Sequence, residues 1–369
     1  MRNAKTPSID EIRLQNAEPR HNEAEDCFIL SLDGGGMRGI ISTEVLEGFC
    51  QILKDKGENR PLVEVFDMVA GTSTGGLIAS AMTCPSLIGR TEDQGPALMD
   101  PGKLGDIYKV YGSEIFGEPV PRILNAVSDK FSPRKLESLL KLWFKDARFS
   151  SCVIPTLIMG YDVTAGVPFP MASTENKELF TWEVGRCTSA APTYFPAFQL
   201  GNQLIVDGGV IANNPSLYAY RYARSLWPKC KRFHILSIST CSSIYRYNSL
   251  STYGIASWTS IYKVYANAQQ QTTDEMMECL PDVDYLRIYK EMGARIEMDD
   301  ARDQTISQLE TYGKELFLKN KTVMESFADR IIAAQKPIPT AEVETSMAPI
   351  QRRTSFLQKI KKWVRRMNG

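Results

Sequence analysis

Histidine is nearly missing from this chain: two residues in 369, His21 and His234. A nucleophile that relies on an imidazole base therefore has almost no choice of partner. Cysteine occurs eight times but never as a C-x-x-C pair, which excludes a zinc ribbon or a dithiol redox motif. A chain of this length does not need disulfides, so free thiols in a reducing compartment are expected. Net charge is also missing, with 43 Lys and Arg against 43 Asp and Glu, so no global field draws the chain to a nucleic-acid polymer. No apolar run reaches membrane-spanning length. Residues 1–26 are polar and lack an apolar h-region, which reads as a loose leader and not as a Sec-type signal. No internal repeat and no cluster of metal ligands stands out. What is present, 43% hydrophobic and 23% charged residues, is the composition of a globular protein large enough for one big α/β domain or two ordinary ones.

The chain is organised around Val69-Ala70-Gly71-Thr72-Ser73-Thr74-Gly75-Gly76. An apolar run over residues 65–70 leads into it and Leu77-Ile78-Ala79 leads out, so it reads as strand, tight turn and helix. The turn has the G-x-S-x-G spacing of a nucleophile elbow, in which a strained corner projects the serine hydroxyl from the top of a sheet. The following helix points its positive end at that corner. A plain glycine turn carries the same letters, and only the strand and helix around it favour the functional reading.

A second glycine corner, Asp33-Gly34-Gly35-Gly36-Met37-Arg38-Gly39, follows the apolar strand Phe28-Ile29-Leu30-Ser31-Leu32 and precedes a helical pattern over residues 40–54. Gly34, Gly36 and Gly39 also fit a dinucleotide fingerprint, but that motif expects an acidic residue at a strand end about 20 residues on. The sequence there is the polar turn Lys54-Asp55-Lys56-Gly57-Glu58-Asn59-Arg60. The remaining readings are an anion cradle of backbone N–H groups with Arg38 beside it, or a bare turn. Two such βα units predict a parallel sheet with helices on its faces.

Two groups offer themselves as the base for Ser73. His234 completes the order Ser73, Asp207, His234 of an α/β-hydrolase triad. It opens the apolar run 233–238, however, where a histidine is more often a bonded core residue than a mobile catalytic one. Asp207 closes the strand Leu204-Ile205-Val206 and is followed by Gly208 and Gly209. On a parallel sheet that position falls at the carboxyl edge, where ligands bind. A turn aspartate is the alternative.

Together these pieces resemble the patatin-like phospholipases of bacterial type. Asp33 to Gly39 matches the family's D-G-G-G-x-R-G loop, Gly71 to Gly76 its G-T-S-T-G-G elbow, and Asp207-Gly208-Gly209 its D-G-[AG] motif. The likeness extends to Thr188-Ser189-Ala190-Ala191-Pro192-Thr193-Tyr194-Phe195-Pro196, to Asn213-Asn214-Pro215 and to Glu297-Met298-Asp299-Asp300-Ala301. At Ser237-Ile238-Ser239-Thr240-Cys241 the chain departs from a glycine turn common in relatives. The resemblance implies a three-layer α/β/α sandwich with a mainly parallel central sheet. It implies a Ser73–Asp207 dyad without histidine, and an oxyanion hole at Gly34, Gly35 and Gly36 supported by Arg38. Gly39, Gly71, Gly75, Gly208 and Gly209 complete its motifs. The implied reaction is hydrolysis of phospholipid acyl esters through an acyl-serine, with no cofactor and no metal. A cyclic-nucleotide-activated antiphage effector or a host-activated toxin, needing a small-molecule or protein activator, are alternatives within the family. A triad esterase and a non-catalytic lipid-binding protein are alternatives outside it.

The expected organisation is the leader at 1–26, a catalytic core at 27–217, a mostly helical continuation of the same domain at 218–337, and a linker with a basic tail at 338–369. Residues 351–369 hold seven Lys or Arg and no acid, with Phe356, Ile360, Trp363, Val364 and Met367 at helical spacing. That pattern fits a basic amphipathic helix lying on an anionic membrane surface. The localisation expected is cytoplasmic, peripheral on membranes, with delivery into a host cell as an alternative.

Overall fold

The computed structural model describes residues 25–84, 101–117, 129–241, 261–293 and 296–334. The leader, His21 and the basic tail lie outside the described residues.

The chain opens with β1 (Asp26–Leu32), a 3-10 turn at Gly36–Arg38 and helix α1 (Gly39–Asp55). Next come a single turn α2 (Leu62–Val65), β2 (Met68–Thr72) and α3 (Thr74–Thr83). Helices α4 (Pro101–Phe116) and α5 (Arg134–Phe144) precede β3 (Thr156–Asp162), β4 (Val167–Ala172) and α6 (Thr181–Thr188). A short hairpin, β5 (Phe198–Leu200) and β6 (Gln203–Asp207), leads to α7 (Gly209–Ala212) and α8 (Ser216–Leu226). The described chain ends with β7 (Arg232–Ile238), α9 (Ile261–Glu278), β8 (Val283–Ile288) and the long α10 (Asp303–Ala334).

Five strands form the parallel body of one sheet: β1 pairs with β2 and β7, β2 with β3, and β7 with β8. Strands β1, β2, β3 and β7 are buried along nearly their whole length because both faces are covered. Along β1, Phe28, Leu30 and Leu32 pack into one layer of helices, with α1, α3, α5 and α10 contributing Phe49, Ile78, Leu140 and Phe327. Cys27 and Ile29 point to the other side, against Ala219, Tyr222 and Ala223 of α8 and Met277 of α9. The two-residue alternation thus produces three layers, α/β/α.

The remaining strands turn back. β4 is antiparallel to β3 over residues 157–162, and β6 is antiparallel to β3 over 160–162. β2 covers β3 only from Thr156 to Met159. The registers therefore put β2 and β6 end to end along the same edge of β3, Thr72 opposite Met159 and Asp207 opposite Gly160. This corrects the sequence reading of Asp207. It stands at the carboxyl end of an antiparallel strand that meets β2 head-on, not at the edge of a parallel one.

Candidate active site

Ser73 occupies the corner between β2 and α3 with φ 53° and ψ −125°. For a residue with a Cβ this backbone costs about 1–3 kcal/mol and must be held by its surroundings. Three contacts hold it. The Ser73 N–H donates to Thr188 Oγ1 at 2.8 Å, and Thr188 Oγ1 in turn donates to the Met159 carbonyl at 2.7 Å. The Ser73 carbonyl accepts the first helical bond of α3 from Leu77 N at 3.0 Å. The helix can approach because position 75 is glycine; a Cβ there would lie 2.2 Å from the Leu32 carbonyl.

Asp207 faces this serine. It is 3% exposed, accepts Gly209 N–H at 2.7 Å, and lies close enough to the Ser73 hydroxyl for that group to act on its pKa. Burial pushes its carboxyl up to about 7, against the opposing pull of the nearby Ser73 hydroxyl and the Gly209 N–H. A carboxylate with that affinity can take a proton from a bound hydroxyl near neutral pH and return it. The head-on meeting of β2 and β6 is what places the two side chains in contact.

The glycine loop lies against the other flank. Gly34 is in contact range of the elbow, since a Cβ on it would lie 3.0 Å from Ser73 Cβ. Its N–H donates to the Asn213 carbonyl at 3.1 Å and its carbonyl accepts from Thr240 Oγ1 at 2.6 Å. That removes Gly34 from the set of free anion donors. Among the described residues no acceptor engages the N–H of Gly35 or Gly36. Gly36 has φ +59°, and a Cβ there would meet the Met298 carbonyl at 2.2 Å. The same carbonyl accepts Met37 N–H at 2.7 Å, tying the loop to the segment that follows β8. Arg38 turns its Nε to the Gly35 carbonyl at 3.3 Å and lines the cleft beside Ser73.

Two clefts meet at the serine. One, about 880 Å³ including its mouth, is walled by apolar side chains, among them Leu77, Ile78, Ala81, Ile115, Phe116, Trp143 and Phe195. The other, about 730 Å³, is the more polar of the two: Arg38, Asp207, Asn213, Thr240, Asn267, Gln270 and Glu297 line it alongside apolar groups such as Ala266 and Ile296. Ser73, Ala191, Tyr194 and Met298 belong to both. Among the described residues no group of His, Cys, Asp and Glu is arranged to hold a metal ion, and no helix is long and apolar enough to cross a membrane.

His234 is elsewhere. It pairs in register with Phe28 at the start of β1, whereas Ser73 lies two residues past Gly71, the partner of Leu32. Six residues along the sheet amount to about 20 Å. Its ring stacks on Phe28 at 4.6 Å, and both nitrogens are engaged, Nδ1 with Asp284 at 2.9 Å and Nε2 with Asp26 at 2.8 Å. The Ser73–Asp207–His234 triad is therefore excluded by distance and by the ring's own partners. Motif reading missed the roles of Thr188, the Asn213 carbonyl and the Met298 carbonyl, although all three lie in stretches that carried the resemblance. What they contribute is backbone geometry, which letters do not display.

The patatin-like phospholipase family model matches residues 30–220. Human calcium-independent phospholipase A2-gamma is 27% identical over 338 residues, covering 84% of this chain and 40% of that protein. Phospholipase A I of Arabidopsis thaliana is 24% identical over 402 residues, with 87% and 29% covered. Patatin-like protein 2 of the same plant is 33% identical over 214 residues, with 52% and 51% covered. The chain thus spans less than half the length of the first two relatives. Among solved structures, VipD from Legionella pneumophila aligns with a TM-score of 0.40 at 13% identity, over 84% of this chain and 67% of that one. The model match across more than half of the chain, together with an elbow, a glycine loop and an aspartate strand converging on one serine, means that the chain belongs to the patatin-like phospholipase family.

Proposed function

We propose that the protein is a lipid acyl hydrolase that cleaves carboxylic esters of phospholipids. In this reading Asp207 accepts the Ser73 proton as Oγ attacks the ester carbonyl. The tetrahedral oxyanion is received by the N–H groups of Gly35 and Gly36, with Arg38 adding positive charge to the loop. Collapse breaks the acyl–oxygen bond, and the departing alcohol takes the proton from Asp207. Water repeats the sequence on the acyl-serine and releases the fatty acid.

The observation that carries the reading is the seam at Ser73. An acyl chain requires an apolar slot and a head group a polar one, and the nucleophile stands where the two clefts join. Substrate is met at a bilayer surface, and the basic 351–369 segment supplies charge suited to that contact. The relatives named for phospholipase activity support the same substrate class.

The test is fatty-acid release from mixed phospholipid vesicles. The wild type releases acyl chains, and Ser73→Ala and Asp207→Asn do not. Release by Ser73→Ala at the wild-type rate contradicts the proposal.

A further inference from the structure

Asp33 closes β1 and opens the glycine loop, and its carboxylate is completely buried. A buried carboxylate needs a cation or several donors. Here the cation comes from 254 residues downstream, outside all three motifs. Arg287 of β8 donates to Asp33 through both terminal nitrogens, at 2.9 and 2.6 Å. The same guanidinium donates to Ser237 Oγ at 2.8 Å, and its Nε lies 3.2 Å from Asp274 Oδ1 on α9. Asp274 Oδ1 accepts from Asn214 Nδ2 at 2.8 Å and from the Tyr285 hydroxyl at 2.7 Å. Asn213, covalently joined to Asn214, holds Gly34 through its carbonyl at 3.1 Å.

These contacts close a ring: Asp33 and Gly34 on the glycine loop, Asn213 and Asn214 on the segment after Asp207, then Asp274 and Arg287, and back to Asp33. Resting on the hydrolase reading above, we infer that Arg287 is a positioning residue that holds the oxyanion loop and the Asp207 segment in one frame around Ser73. It touches neither Ser73 nor Asp207. Its planar fork fixes the Asp33 carboxylate in direction as well as distance, which a lysine ammonium cannot do. A loop released by a fraction of an ångström moves the Gly35 and Gly36 donors off the developing oxyanion.

The test uses Arg287→Lys, which keeps the charge and loses the fork, and Asp274→Asn, which keeps an oxygen for Asn214 and Tyr285 and loses the charge. Both are measured with a soluble ester substrate and with a fluorophosphonate probe, whose tetrahedral phosphoryl group needs the same donors. For Arg287→Lys, kcat is expected to fall about 10- to 100-fold with KM within about threefold, since the clefts are walled by other residues. The labelling rate constant falls in parallel, while the final extent of labelling stays complete. Asp274→Asn shows the same pattern to a smaller degree, and carries the test if Arg287→Lys does not fold. Reduced extent of labelling at an unchanged rate constant would mean a partly unfolded population and overturns the inference, as does an unchanged kcat in both variants. A wild type that neither labels nor releases acyl chains overturns the hydrolase reading and this inference with it.

Discussion

Asp207→Asn should make the protein more stable as it destroys activity, and the gain should depend on pH. The carboxyl ordinarily titrates near 3.8, and burial pushes it up to about 7. The folded chain therefore keeps a proton on Asp207 that the unfolded chain releases. This binding favours the folded state fully below the lower value, and the contribution is lost as pH rises through about 7. Between pH 5 and pH 8 the wild type loses about 3 kcal/mol by this route, at 1.36 kcal/mol per pH unit up to the folded value. Asparagine does not titrate, and it preserves an oxygen for Gly209 N–H, so it escapes the loss. At about 2.1 cal/mol/K per residue, the difference in melting temperature between variant and wild type widens by about 4 °C from pH 5 to pH 8. Acyl release falls about 10²- to 10⁴-fold in the same variant. Differential scanning fluorimetry at the two pH values, with parallel activity assays, measures both. A melting-temperature difference that is the same at pH 5 and pH 8 refutes the claim that a buried, charged Asp207 is held at the expense of stability.

Ser73→Gly removes both the hydroxyl and the positive-φ strain; the variant is expected to be inactive and about 1 kcal/mol more stable, read as a rise in melting temperature. Gly36→Ala, whose Cβ would meet the Met298 carbonyl at 2.2 Å, lowers kcat by about 10²-fold or more, and steady-state kinetics on a soluble ester reads the loss. Ala81→Leu narrows the apolar cleft; the ratio of p-nitrophenyl palmitate to butyrate hydrolysis falls about tenfold, and an unchanged ratio places the acyl chain elsewhere.

Much of the parallel body was legible because strands buried on both faces read as continuous apolar runs: residues 28–32 and 233–238 became β1 and β7 with little change. The apolar run 153–159 reads as a strand, but the strand spans Thr156–Asp162. Pro155 blocks pairing before it, and Gly160-Tyr161-Asp162 continues because β4 and β6 supply partners that no local pattern announces. The Gly- and Pro-containing stretch 84–103 reads as loop, yet α4 already includes residues 101–103. β5 is three partly exposed residues and had no periodicity to read.

The site was legible in its letters and not in its frame. Ser73, Asp207 and the glycine loop stand out as motifs, and the fold brings them together. The head-on approach of β2 and β6 depends on registers that sequence does not encode locally. The partner of Asp33 was visible only as a lone arginine in the run Tyr285-Leu286-Arg287-Ile288. A charge set among Tyr285, Leu286 and Ile288 is a signal that an opposite charge awaits it, but not where.

The most direct test of the central claim is the pH dependence of kcat/KM for acyl release in the wild type and in His234→Ala. Asp207, pushed up to about 7 by burial, is the group expected to set an acid limb there. Superimposable profiles are expected, activity falling as pH drops through about 7 in both proteins, with His234→Ala losing only stability. Loss of activity in His234→Ala, or disappearance of the acid limb with that ring, would contradict the claim.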